Sequence, residues 1–276
     1  MDKLIAIFKE YKYSIVFSYL LIVVSEFLMF LYPKILGNTI DRMIVGDYYS
    51  LISLAALFFG FILTSLASNV YDTIVFSRIR KNLANREIEK MYDKNIDTSV
   101  ISGRYNMLDS VVGFFELNVA HFIKFVIGTV GSCYIVFTIN YVLGLGLLVA
   151  VLLIVMLSFY FSPRIAKVTI LRNNYNEKQV SVFSGKILFQ LNRFLEANRL
   201  LSIKYSNITA KYNLYIQAIC YSAVTILLFV YIAMGNITVG STFSTYRYMF
   251  DFCNSVLILP SLFTVWVNLK DVISRF

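Results

Sequence analysis

The chain has 276 residues, 58% hydrophobic and 16% aromatic, with a formal net charge of +9 and a mean hydropathy of +0.70. That is too apolar for a soluble domain of this length, since only 15% of the residues are charged. Three isolated cysteines and a single histidine argue against a disulfide framework and against a conventional zinc or triad site, so no metal and no catalytic residue is expected.

Residues 1–12 place Leu4, Ile5, Phe8 and Tyr11 on one helical face, which predicts a short interfacial helix lying on the inner leaflet. No small-x-small cleavage site follows it, and Asp2 and Glu10 dilute its charge, so it does not read as a cleaved signal peptide. Six apolar segments come next: Tyr13 to Leu36, Leu51 to Ser77, Leu117 to Thr138, Tyr141 to Phe161, Leu214 to Met234 and Ser241 to Trp266. Each is about the twenty residues that a hydrocarbon slab of about 30 Å requires. Only Ile139-Asn140 separates the third from the fourth, which forces an antiparallel hairpin. Backbone groups in lipid must bond within their own segment, and nothing in the chain alternates as barrel strands do. The predicted fold is all-α: a polytopic membrane protein with six transmembrane helices in a single domain, residues 1–276.

The positive charge is distributed by side. Lysines and arginines crowd the stretches before the first span, after the second, after the fourth and after the sixth, whereas Lys34 and Arg42 are the only two at the opposite ends. The positive-inside bias then puts both termini and both long loops in the cytoplasm of a multi-pass protein, expected in a bacterial inner (plasma) membrane. Lipid headgroups are the natural partner of this basic surface. Nucleic acid is not, because no aromatic-basic reading motif accompanies the charge.

The two long loops, residues 78–116 and 162–213, contain one proline, Pro163, and few glycines, while apolar residues recur at helical spacing. They predict helical arms that continue out of the membrane, reversing near Ser102-Gly103 and near Ser184-Gly185. Ionisable residues inside the spans are costly and mark candidate sites. Glu26 lies past the middle of the first span, and its burial would suit proton loading and release. Arg247 and Asp251, one turn apart in the sixth, are spaced to pair locally. Antiparallel running also puts Arg247 at a depth open to an interhelical contact with Glu26. His121 and Lys124 share a face of the third span, and Asp72 stands in the cytoplasmic quarter of the second, where pairing with Lys124 would neutralise both. Glu116 falls at the boundary and is expected to be wet.

At this stage the chain resembles a known family, the transmembrane domain of ABC exporters of the six-helix, multidrug-exporter type. The resembling residues are Leu31-Tyr32-Pro33-Lys34-Ile35-Leu36-Gly37 with Ile40-Asp41 and Gly46-Asp47, then Arg78-Ile79-Arg80 with Leu83 and Ser102-Gly103-Arg104. Gly235-Asn236-Ile237-Thr238-Val239-Gly240, Pro260 and Ser274-Arg275-Phe276 complete the set. The resemblance implies a homodimer or pseudo-dimer of twelve helices with swapped helices and a central cavity open alternately to either side. It also implies coupling helices at the arm tips, with Ser102, Gly103 and Arg104 at the first and Gly185 at the second. The sequence after Glu177 departs from the family's acidic, glycine-containing pattern. The family likeness sets the sixth span along the pathway, so Tyr246, Tyr248 and Phe250 beside Arg247 become candidates to receive an amphipathic substrate by stacking and cation–π contact.

The sequence contains no G-x-x-x-x-G-K-[S/T], so no phosphate cradle, no bound cofactor and no enzymatic activity are expected of this chain. The expected function is transport of a small molecule or peptide by alternating access, driven by a separately encoded ATPase. Two alternatives stand beside it: an ATP-independent, proton-coupled secondary transporter on the same fold, and a non-transporting membrane adaptor. With Cys133, Cys220 and Cys253 replaced, a cysteine introduced at Asn173 is expected to react with an impermeant maleimide from the cytoplasmic side only. Reaction from the outside alone would overturn the topology.

Overall fold

The computed structural model describes residues 9–93, 105, 109, 112–177, 179–184, 188–235 and 237–275. Its helices are α1 (Lys12–Ile44), α2 (Ser50–Tyr92), α3 (Phe114–Ile139), α4 (Tyr141–Glu177), the six-residue α5 (Gln179–Ser184), α6 (Leu188–Ala233), α7 (Val239–Val256) and α8 (Leu259–Arg275). Among the described residues there is no strand. Six stretches are long and apolar enough to cross a membrane, the sixth running from α7 into α8, and they coincide with the six segments of the sequence.

Length shows which helices leave the bilayer. At 46 residues α6 extends about 70 Å, more than twice the hydrocarbon thickness of about 30 Å, and α2 has 43 residues. Their polar ends project from one side of the bundle, the arm end. Short connections join α1 to α2, α3 to α4 and α6 to α7 at the other, the turn end. Between α3 and α4, Asn140 is extended, and its side-chain oxygen accepts from the Val142 N–H at 2.8 Å, capping α4 and closing the hairpin. Gly46, at φ +90°, supplies the left-handed step between α1 and α2.

Only 11 to 28% of the residues in each spanning window are buried within the chain, and Phe59, Phe159 and Phe229 stand exposed. Such an apolar exterior is stable against lipid rather than water. Inside, one cluster joins α3, α4, α6 and α7 through Leu147, Ile216, Phe252 and neighbours, and a second joins α1, α2 and the start of α3 through Ile15, Phe76 and Ile79.

Backbones approach closely at the turn end between α1 and α7. A Cβ on Gly240 would fall onto the Gly37 carbonyl oxygen, and one on Gly37 would fall onto the Ser244 hydroxyl. That hydroxyl donates to the Pro33 carbonyl at 2.7 Å, and the Tyr248 hydroxyl donates to the Phe30 carbonyl at 3.2 Å. Thr238 and Ser241 form a reciprocal cap at the start of α7. The Asp41 carboxylate accepts from the Gly240 N–H at 2.8 Å and from the Thr238 hydroxyl, so a side chain of α1 caps α7.

Three details differ from the sequence expectation. The sixth span is broken by a turn at Leu257-Ile258, because Pro260 has no N–H for the Val256 carbonyl and disfavours a helical residue before it. The third span contains two π-helical turns, Phe114–Asn118 and Ile127–Gly131. Glu116 is half-buried and ion-paired with Arg80 at 3.0 Å rather than wet. At the arm end the Arg86 guanidinium reaches Glu10 at 2.8 Å and holds its carboxyl below the ordinary carboxylate range. Most of the predicted interfacial helix and both arm reversals fall outside the described residues.

Gly240→Ala is expected to cost about 1–3 kcal/mol by overpacking, read as a lower unfolding midpoint in detergent. Gly60→Ala, whose Cβ would meet only Leu28 at 3.7 Å, should leave that midpoint unchanged or raise it.

Candidate functional site

The register of α3 against α1 sets the charge pairing. The Tyr19 hydroxyl donates to the Phe115 carbonyl at 2.9 Å and brings those residues to one level. Glu26 lies seven residues beyond Tyr19 and Lys124 nine beyond Phe115, about 10–13 Å further in on each helix. They therefore meet: Lys124 Nζ stands 2.9 Å from Glu26 Oε1, with the Glu26 side chain 24% exposed and the Lys124 side chain 45%.

This geometry corrects two expectations. Glu26 is paired with Lys124 and not with Arg247, whose guanidinium is taken by Asp251 at 3.0 Å, as the one-turn spacing predicts. Asp72 is not paired with Lys124 either, because it lies near the Tyr19 level, about two turns closer to the arm end. The Ser18 hydroxyl donates to one Asp72 carboxylate oxygen and the Ser68 hydroxyl to the other at 3.5 Å. Among the described residues no cation stands within ion-pair distance of Asp72.

Gly128, one turn beyond Lys124, packs onto Ser255, one turn from Asp251, and leaves no room for a Cβ. Both ion pairs thus occupy the junction of α1, α3 and α7, within about two turns of each other. Each is locally neutral, which is the affordable arrangement for charge at depth. His121 is exposed on α3 and does not join them.

The sixth-span aromatics separate. Tyr248 is only 1% exposed, with its hydroxyl bound to the Phe30 carbonyl, so it packs α7 against α1. Tyr246 is exposed and stacks on Phe250 with centroids 6.0 Å apart, and the Arg247 guanidinium lies 5.8 Å from the Phe250 ring. Tyr246 borders a shallow apolar depression with Leu228, Ile232 and Phe243 near the turn end.

A more enclosed cavity, about 460 Å³, opens between α3, α4, α6 and α8 toward the arm end. Phe122 and Asn118 line it from α3, Ser158 and Ser162 from α4, Tyr212 from α6, and Phe263 and Trp266 from α8. None of its lining residues is charged, and none of the sequence-predicted site residues reaches it. The signals that could have found it are an aromatic and amide stripe at helical spacing, Phe114, Asn118, Phe122 and Phe125, and the chain's one tryptophan three residues after Phe263. Tyr212 stacks on Phe161 at 5.2 Å and shares a 2.6 Å hydrogen bond with Ser158. The Ser158 hydroxyl donates to the Ile154 carbonyl at 2.7 Å, so Tyr212 is the donor in the shared bond and its oxygen retains free acceptor capacity.

The coupling residues Ser102, Gly103, Arg104 and Gly185 lie outside the described residues. Among the described residues no group of three or more metal-ligating side chains converges. Comparison with known proteins finds that residues 4–244 match the family described as ABC transporter transmembrane region. No curated protein matches the chain.

A double-mutant cycle of Glu26→Gln and Lys124→Met, read by unfolding in detergent or bicelles, is expected to show a coupling of about 1 kcal/mol. A cycle of Asp72→Asn with Lys124→Met should show none.

Proposed function

The chain belongs to the ABC transporter transmembrane-region family, and from that premise we propose that it is the membrane half of a transporter whose ATPase is a separate polypeptide. It is a multi-pass membrane-transport component with six apolar spans. The observation that carries the reading is the family match from residue 4 to 244, through five spans and into the sixth, on a bundle with a cavity at its arm end. Two copies working as a homodimer would bury apolar surface that a single copy leaves uncovered. Alternating access would then expose the cavity to one side at a time, with the cytoplasmic arm tips, Ser102 to Arg104 and around Gly185, receiving the push of ATP hydrolysis. The basic arm end is consistent with both termini lying in the cytoplasm of a bacterial inner membrane.

One observation favours a second reading, proton-coupled transport without ATP. Asp72 accepts from hydroxyls alone, whereas Glu26 is ion-paired with Lys124. This moves the proton-carrier role from Glu26 to Asp72.

Proteoliposome flux separates the two. Substrate movement is expected to require ATP and a nucleotide-binding partner, to ignore an imposed pH gradient, and to fall at least tenfold on Gly103→Ala with Arg104→Ala. Flux driven by the pH gradient alone and abolished by Asp72→Asn would establish the second reading instead.

A further inference from the structure

We propose that the cavity between α3, α4, α6 and α8 binds an uncharged aromatic molecule carrying a hydrogen-bond donor; this names the substrate class of the site on which the transport reading rests. Its volume of about 460 Å³ lies within the range of small-molecule sites. An ionic ligand would leave its charge unpaired there, because the lining is uncharged and the intramembrane pairs, Glu26 with Lys124 and Arg247 with Asp251, are already matched. Phe122, Phe263 and Trp266 present rings, which favours an aromatic guest by edge and stacking contacts.

Two of the polar groups in the wall are left with acceptor capacity. Tyr212 gives its proton to Ser158 and is left with acceptor capacity. Asn118 spends an amide N–H on the Gly113 carbonyl at 3.4 Å, and its side-chain oxygen has no partner among the described residues. These two acceptors suit a guest that donates, such as a phenol or a neutral amide, and the second Asn118 N–H and the Ser162 hydroxyl can meet that guest's own acceptor. A bare acyl chain would leave both acceptors unmet.

Trp266 is the only tryptophan of the chain, half-exposed and in the cavity wall, so its fluorescence reports occupancy. The full chain in nanodiscs at pH 7 is titrated with four heavy-atom quenchers of similar size: p-bromophenol, p-bromoanisole, p-bromobenzoate and p-bromobenzyltrimethylammonium. Quenching by p-bromophenol is expected to saturate, with p-bromoanisole about tenfold weaker for want of a donor. The two ions should give only weak, linear quenching. Tyr212→Phe should narrow the difference between phenol and anisole, and Phe122→Ala should weaken both, with circular dichroism confirming that each variant is folded.

Linear quenching by all four probes, equal binding of the ions, or an unchanged phenol preference in Tyr212→Phe would overturn the proposal. So would quenching by acyl-brominated phosphatidylcholine that 4-tert-butylphenol does not relieve, which would identify a lipid chain as the occupant. A negative result removes this ligand class and leaves the transport reading, measured by flux, untouched.

Discussion

The structure depends on the place where two backbones meet. Gly37 and Gly240 let α1 and α7 approach until the carbonyl of one occupies the space a side chain of the other would need. In hydrocarbon, apolar surface alone gives no preference for a helix neighbour over lipid, so association rests on close packing and on polar groups that find partners. Asp41, Ser244 and Tyr248 supply those partners at this junction, each bonded to backbone of the opposite helix. The first and the seventh helix are thereby fixed at the turn end, and the arm end of the bundle is built outward from that fixed point.

The intramembrane charges follow the same economy. Four of them cancel in two pairs at the α1, α3 and α7 junction, and the fifth, Asp72, is satisfied by serine hydroxyls. Charge at depth here serves helix registration, while the cavity is furnished with rings and uncharged acceptors. Registration and the cavity wall thus draw on different residues.

What was legible from sequence and what was not divides along physical lines. The six spans could be read because hydrocarbon thickness fixes their length, and the Asn140 hairpin because so short a break leaves one geometry. The Arg247–Asp251 pair could be read because it is local to one helix. The partner of Lys124 could not, since it depends on the start of α3 and on π-helical turns that shift its level relative to Glu26. Asp41 and Gly240 were both visible as features of the likeness, yet their contact spans almost two hundred residues and no local pattern announces it. The cavity was missed because ionisable residues drew attention, whereas its lining is apolar and assembled from four helices. The burial of Tyr248 against α1 was not legible for a related reason: adjacency to Arg247 in sequence says nothing about which way a helix face turns.

The turn at Leu257-Ile258 has a mechanical meaning. It is an elbow between α7, clamped on α1, and α8, which carries Phe263 and Trp266 in the cavity wall and is tied to α6 by the Tyr205–Thr264 hydrogen bond of 3.1 Å. Trp266 sits about 12 Å down the lever from that elbow, so a ten-degree swing would carry it sideways by about 2 Å. A pull at the foot of α8 can therefore reshape the chamber while the clasp at the far rim keeps its grip.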